Sequence, residues 1–79
     1  MITQRVDLGE NRTLELQISV EGGCITVGQQ IIVGDVRAAE KTCTVTCYPG
    51  GKSLTWTCPD NKMCAGDCSD PKNPKGKCE

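Results

Sequence analysis

The sharpest constraint in this chain is a mirror relation around Gly50-Gly51. Reading outwards from that pair, Cys43, Val45 and Cys47 face Cys58, Trp56 and Leu54, while Thr44, Thr46 and Tyr48 face Thr57, Thr55 and Ser53. One side is wholly apolar or sulfur and the other wholly hydroxyl-bearing, as the two faces of an antiparallel hairpin require. A turn on Pro49-Gly50 keeps both faces and moves the partners by two residues, but its type II geometry suits the strand twist less well. The expected register therefore opposes Cys43 to Cys58, at a Cα separation of roughly 4.5–5.5 Å that a disulfide accepts.

A second diglycine works in the same way. Gly22-Gly23 suits a two-residue hairpin turn, whose central positions need positive φ. A turn there sets Val20 against Ile25 and Ile18 against Val27, with Glu21 against Cys24 and Ser19 against Thr26. From Thr13 to Glu21 the alternation is unbroken: Leu14, Leu16, Ile18 and Val20 point one way, and Thr13, Glu15, Gln17, Ser19 and Glu21 the other. That is the pattern of a half-buried strand with its aliphatic side inward. It places Cys24 on the solvent side, away from the other thiols. Ahead of it, Ile2, Val6 and Leu8 alternate with Thr3, Arg5 and Asp7, and Gly9-Glu10-Asn11-Arg12 supplies a turn for a first hairpin.

Between these hairpins, Ile31-Ile32-Val33 reads as a short strand ended by Gly34-Asp35. Residues 36–41 suit either a helical stub capped by Asp35 or an extended connector. Beyond Cys58 the composition changes. Residues 59–79 hold Met63 and Ala65 as their only apolar side chains besides cysteine, among three prolines and eight charges. Such a segment stays disordered unless it is tied. The expected fold is one all-β domain spanning residues 1–79: an antiparallel meander of about five strands over 1–58, then an irregular cysteine-tied C-terminal tail over 59–79.

The core is poor. Five Ile, four Leu, six Val and no Phe in 79 residues leave little to bury, while seven cysteines point to covalent or metal staples. Three uses of the sulfur compete. In the first, Cys43, Cys58, Cys47, Cys64, Cys68 and Cys78 form three disulfides and Cys24 is a free thiol, which accounts for the odd count. In the second, Cys43, Cys58, Cys64 and Cys68 bind zinc. The spacings Cys43-x3-Cys47 and Cys64-x3-Cys68 are broadly compatible, but there is no Cys-x2-Cys, and strand neighbours four residues apart lie too far apart to share an ion. The third is thiol redox catalysis, which needs an activated thiol at a helix N-terminus, beside a cation or in Cys-x-x-Cys. The disulfide reading fits best.

Function follows by elimination. The absence of His removes Ser-His-Asp and Cys-His nucleophiles and the histidine switch. A net charge of −1, with no basic segment and only Tyr48 and Trp56 as aromatics, excludes a nucleic-acid binder by charge and stacking. No uncharged run is long enough to span a membrane. Asp67, Asp70 and Asn73 space like calcium ligands but lack the glycine and distal Glu of a calcium loop, and Asp60 with Asp67 makes a poor catalytic pair in so thin a tail. Trp56, beside Val45 and Leu54, is assigned to packing. Tyr48, near a hairpin tip, is assigned to partner contact.

The expectation is a non-enzymatic binding module without cofactor, presenting hairpin tips and a tied loop to a protein or carbohydrate partner. A zinc-stabilised accessory domain of a larger assembly is the alternative, and a thiol oxidoreductase the third reading. Residues 1–21 have no apolar run of signal-peptide length. The expectation is an exported mature domain, or a cytoplasmic one if the cysteines bind metal.

Overall fold

A computed structural model of the chain describes residues 2–48 and 50–79. Strands β1 (Ile2–Gly9), β2 (Arg12–Glu21), β3 (Cys24–Val33), β4 (Val36–Arg37), β5 (Glu40–Cys47) and β6 (Ser53–Pro59) form one antiparallel sheet in the order β1-β2-β3-β5-β6. Strand β4 pairs with the end of β3. A second, two-stranded sheet follows, from β7 (Cys64–Asp67) and β8 (Lys75–Cys78). The all-β meander expected from the alternation is present, and its tail contains a regular hairpin that composition did not suggest.

The Gly22-Gly23 register is as the alternation requires, with Val20 opposite Ile25, Ile18 opposite Val27 and Glu21 opposite Cys24. Both glycines take positive φ, +51° and +83°, which the tight turn demands. Strand β3 runs unbroken through Gly28-Gln29-Gln30 rather than stopping short of Ile31. No helix forms over residues 36–41. Gly34-Asp35 reverses the chain, so β4 and then β5 lie end to end along the one edge of β3 that β2 leaves free.

The register of β5 against β6 corrects the expectation. Cys43 opposes Trp56, Val45 opposes Leu54, and Cys58 opposes Lys41, a shift of two residues that leaves both faces intact. The cause lies in the turn. Of its two glycines only Gly50 takes a left-handed φ (+65°), which centres the bend one residue earlier than a Gly50-Gly51 turn. The Cys47 N–H then donates to the Lys52 carbonyl, at 3.3 Å. Pro49, also expected in this turn, lies outside the described residues.

Cys43 consequently does not bond to Cys58. Three disulfides instead run from the large sheet to the tail: Cys43–Cys64, Cys47–Cys68 and Cys58–Cys78, with Cα separations of 5.7, 5.6 and 5.7 Å. They close loops with sequence separations of 21, 21 and 20. Each is worth on the order of 3 kcal/mol alone in the chain-entropy model, less together because the loops overlap. Cys64 and Cys78 are cross-strand partners in β7–β8, so both strands are bolted down at one row.

The hairpin settles closely. A Cβ at Gly66 would lie 2.5 Å from Val45 Cγ2, and one at Gly76 would lie 2.5 Å from the Trp56 ring. The largest side chains fully enclosed beneath it are Val45, Cys43, Cys47 and Cys58. Sulfur, more than hydrocarbon, makes this core.

Candidate interaction face

Registers running across the whole sheet assign every strand residue to one of two faces. The half-cystines of β5 share a side with Thr26, Gly28 and Gln30 of β3 and with Glu15, Gln17 and Ser19 of β2. This is the side that β7 and β8 cover. The aliphatic residues of β1–β3 therefore lie on the opposite side, contrary to the inward direction their alternation suggested. The reason is the β3–β5 register, which sets Cys24 against Cys47 and Gly28 against Cys43. Covalent ties to Cys43, Cys47 and Cys58 then decide which side the tail covers.

Five rows cross the open side, the outer two being Val20–Ile25–Thr46–Ser53 and Arg12–Val33. Of the inner three, Ile2, Ile18 and Val27 form one, continuing into Thr44 and Thr55. Gln4, Leu16 and Gln29 form the next, continuing into Thr42 and Thr57, and Val6, Leu14 and Ile31 form the third. No described element packs over them. Val20, Val33 and Val6 are 63%, 52% and 44% exposed. The strand charges Arg5, Asp7, Glu15 and Glu21 project to the other side, and Arg12 and Glu40 stand only at one end of the open face. The body of the face carries no charge. Its threonine half is knitted internally, with Thr44 Oγ1 and Thr55 Oγ1 3.4 Å apart and Thr46 Oγ1 3.0 Å from Ser53 Oγ.

On the covered side, Glu15 is the unexpected residue. Its side chain is 4% exposed although the alternation marked it as solvent-facing. Arg37 grips it with two bonds, Nη1 to Oε1 at 3.0 Å and Nη2 to Oε2 at 3.2 Å, and Arg5 Nε donates to Oε2 at 3.1 Å. The Arg37 hydrogen bonds hold its carboxyl below the usual range; burial opposes this, and the charges of Arg37 and Arg5 assist it. Gln30 extends the cluster, its amide donating to Asp60 Oδ1 at 2.6 Å and to the Ala38 carbonyl at 3.0 Å. These groups satisfy one another and fasten β1, β2, β3, β4 and Asp60 together. The first two hairpin registers set Arg5, Glu15 and Gln30 side by side, and sequence reasoning missed the cluster because Arg37 joins it only through the reversal at Gly34-Asp35.

Cys24 carries no disulfide and is half-buried. It is not isolated on the far side: it faces Cys47 across β3–β5 and lines a cleft of about 650 Å³ with Glu21, Asp67, Lys75 and Lys77. Of the four residues weighed for zinc, Cys43, Cys58 and Cys64 place their sulfurs within 4.8 Å of one another. Each is bonded into a disulfide, and Cys68 is tied to Cys47. A disulfide sulfur has no thiolate charge, so the oxidised chain does not fit zinc at this cluster.

The tail acids serve turns. Asp67 Oδ1 accepts from the Ser69 N–H at 2.8 Å, which chiefly lowers its pKa, and Asp70 accepts from Lys72 N–H and the Asn73 amide. Asp60 belongs to the Gln30 cluster instead. Trp56 shares its face with Val45 and Leu54 as expected, lies against Gly76, and donates from Nε1 to the Lys77 carbonyl at 3.3 Å. Tyr48 is 56% exposed at the hairpin tip, anchored by its N–H to the Gly23 carbonyl at 2.7 Å.

Fold and sulfur framework together define a small, disulfide-rich all-β domain with one covered and one open sheet face. Comparisons with protein-family models, with curated proteins and with solved structures find no match to this chain.

Proposed function

We propose that the chain is a non-enzymatic binding module that meets a protein partner across the open face of its sheet. The observation that carries this is the uncharged body of that face, with aliphatic side chains exposed on three adjacent strands. Monomeric soluble domains seldom leave contiguous apolar patches beyond a few hundred Å², and larger ones mark interaction sites. A protein suits the surface better than a carbohydrate. Sugar platforms use open aromatic faces, and here the Trp56 ring lies against Gly76, leaving Tyr48 at the tip.

Photo-crosslinking tests the reading. A photoreactive residue is placed singly at Ile31 or Val6 on the open face, at Tyr48 on the tip, and at Lys72 on the tied loop, in producing cells. Protein adducts at Ile31 and Val6, with none at Lys72, are expected. Adducts confined to Tyr48 or Lys72, or none on the face, overturn it.

A further inference from the structure

Resting on the reading above, we infer that the partner of the open face is a second copy of this chain, packed sheet on sheet about a two-fold axis along the row Gln4–Leu16–Gln29. Across β1, β2 and β3 the chemistry of the face is palindromic about that row. On one side stands the aliphatic row of Ile2, Ile18 and Val27, on the other that of Val6, Leu14 and Ile31. A two-fold axis lying in the interface along the central row brings each aliphatic row of one copy onto the opposite row of the other. Isologous interfaces require this self-complementarity.

The polar groups inside the apolar field satisfy the same condition. Gln4 and Gln29 each meet their own counterpart across the axis, and an amide carries both donor and acceptor, so it can pair with itself. A carboxylate or an ammonium in that place would repel its copy, and the body of the face has neither. The available area is also of the right order. About the central row the two copies overlap over five residues of β1, β5 and β6 and nine of β2 and β3, which at about 4.8 Å between strands and 3.3 Å per residue project roughly 520 Å². The accessible area of a pleated, side-chain-bearing surface exceeds its projection, which brings it to the about 800 Å² per partner of a stable interface.

The test is sedimentation equilibrium on the oxidised full chain, with two single variants at an exposed position on the axis, Gln29→Lys and Gln29→Glu. The wild-type chain is expected close to twice its 8.5 kDa monomer mass at about 100 µM. Each variant alone is expected to dissociate about tenfold or more readily, because like charges meet across the axis. An equimolar mixture of the two is expected to regain the dimer. Recovery in the mixture excludes misfolding as the cause of loss, and circular dichroism of each variant checks the same point. A wild-type monomer at about 100 µM, about a hundred times the micromolar Kd a specific dimer would have, overturns the inference. So does a mixture that stays dissociated while both variants are folded. Crosslinking from Ile31 to a different protein would then still uphold the wider binding-module reading, so the two failures are distinguishable.

Discussion

Replacing Gly66 with alanine probes the seating of the tail hairpin, on which the whole division into covered and open faces depends. The added Cβ would lie 2.5 Å from Val45 Cγ2, 2.6 Å from Thr26 Oγ1 and 2.8 Å from Val45 Cβ. Carbon atoms pack at about 3.5–4.0 Å, so something must move by about 1 Å. Val45 has nowhere to go, being fully buried on a strand with neighbours on both edges. The hairpin cannot rise freely either, since Cys64 and Cys68 on each side of Gly66 are bonded to Cys43 and Cys47. Gly66 has no left-handed φ, so alanine carries no backbone penalty and restricts the unfolded chain, a gain of about 0.4–1 kcal/mol. Overpacking of a tight core costs about 1–3 kcal/mol, leaving a net loss of about 1–2 kcal/mol.

For a domain of this size, about 4–8 °C of melting temperature accompanies each kcal/mol, so a fall of about 5–15 °C is expected. The assay is a calorimetric melt of oxidised protein in which a single free thiol has been verified. Gly76→Ala serves as comparison. Its Cβ meets the ring of Trp56, which is only half-buried and can turn aside, so the loss is smaller and the fluorescence of the sole tryptophan changes. A Gly66→Ala protein melting within about 1 °C of wild type would refute the close approach of β7 to Val45.

Two further outcomes follow from local geometry. Glu15→Gln removes the charge that Arg37 and Arg5 grip and is expected to cost about 1–2 kcal/mol at neutral pH. The folded pKa of Glu15 lies below its ordinary 4.5, so its contribution is present above that value and lost as pH falls through the folded pKa; the melting gap between wild type and variant should narrow as pH is lowered below 4.5, and a gap independent of pH would contradict the assignment. Glu10 holds a left-handed φ of +54° in a two-residue turn that favours Asn or Gly, and its 3.4 Å ion pair with Arg12 is solvent-exposed and weak. Glu10→Asn is therefore expected to raise stability by about 0.5–1 kcal/mol, seen as a melting temperature higher by a few degrees, and an unchanged or lower value counts against strain at that turn.

Individual hairpins were legible in the sequence where side-chain alternation and turn chemistry agreed. Gly22-Gly23 has both glycines at positive φ and strands that alternate without fault, so one register satisfied every residue. Gly50-Gly51 was harder. Two registers two residues apart preserve the same faces, and only backbone angles at the turn separate them, so alternation could not choose. The tail hairpin was invisible for another reason. Ala65, Gly66, Lys77 and Gly76 have no strand pattern; their pairing follows from Cys64 and Cys78, each held to the large sheet at a common row.

The orientation of the aliphatic side was the most consequential thing that could not be read. Alternation shows that two faces differ, and says nothing about which one another element will cover. That depended on the pairing of β3 with β5, which is fixed across the turn at Gly34-Asp35 and the two-residue strand β4. One sign was present all the same: the thiol of Cys24 lies on the polar side of its hairpin, and the half-cystines had to share a side with some part of the sheet.

The same arrangement explains why the apolar rows can stay outside. Twenty-one residues whose only apolar side chains besides cysteine are Met63 and Ala65 could not have built a hydrophobic layer over β1–β3 on either side. Their reach is set by sulfur: the bonds from β5 and β6 hold β7 and β8 over β3, β5 and β6, while every residue of β1 remains exposed. Stability then comes from three cross-links and a small sulfur-rich core, and does not require the rows Ile2–Ile18–Val27 and Val6–Leu14–Ile31 to be buried within the monomer. Those rows, half-buried on β2 and exposed on β1, retain part of their hydrophobic driving force, about 25 cal/mol for each Å² still to be removed from water, for contact with another surface. A fold held by its own hydrophobic layer would have spent that area internally. Holding the fold with disulfides on the polar side leaves the aliphatic side uncharged in its body and available.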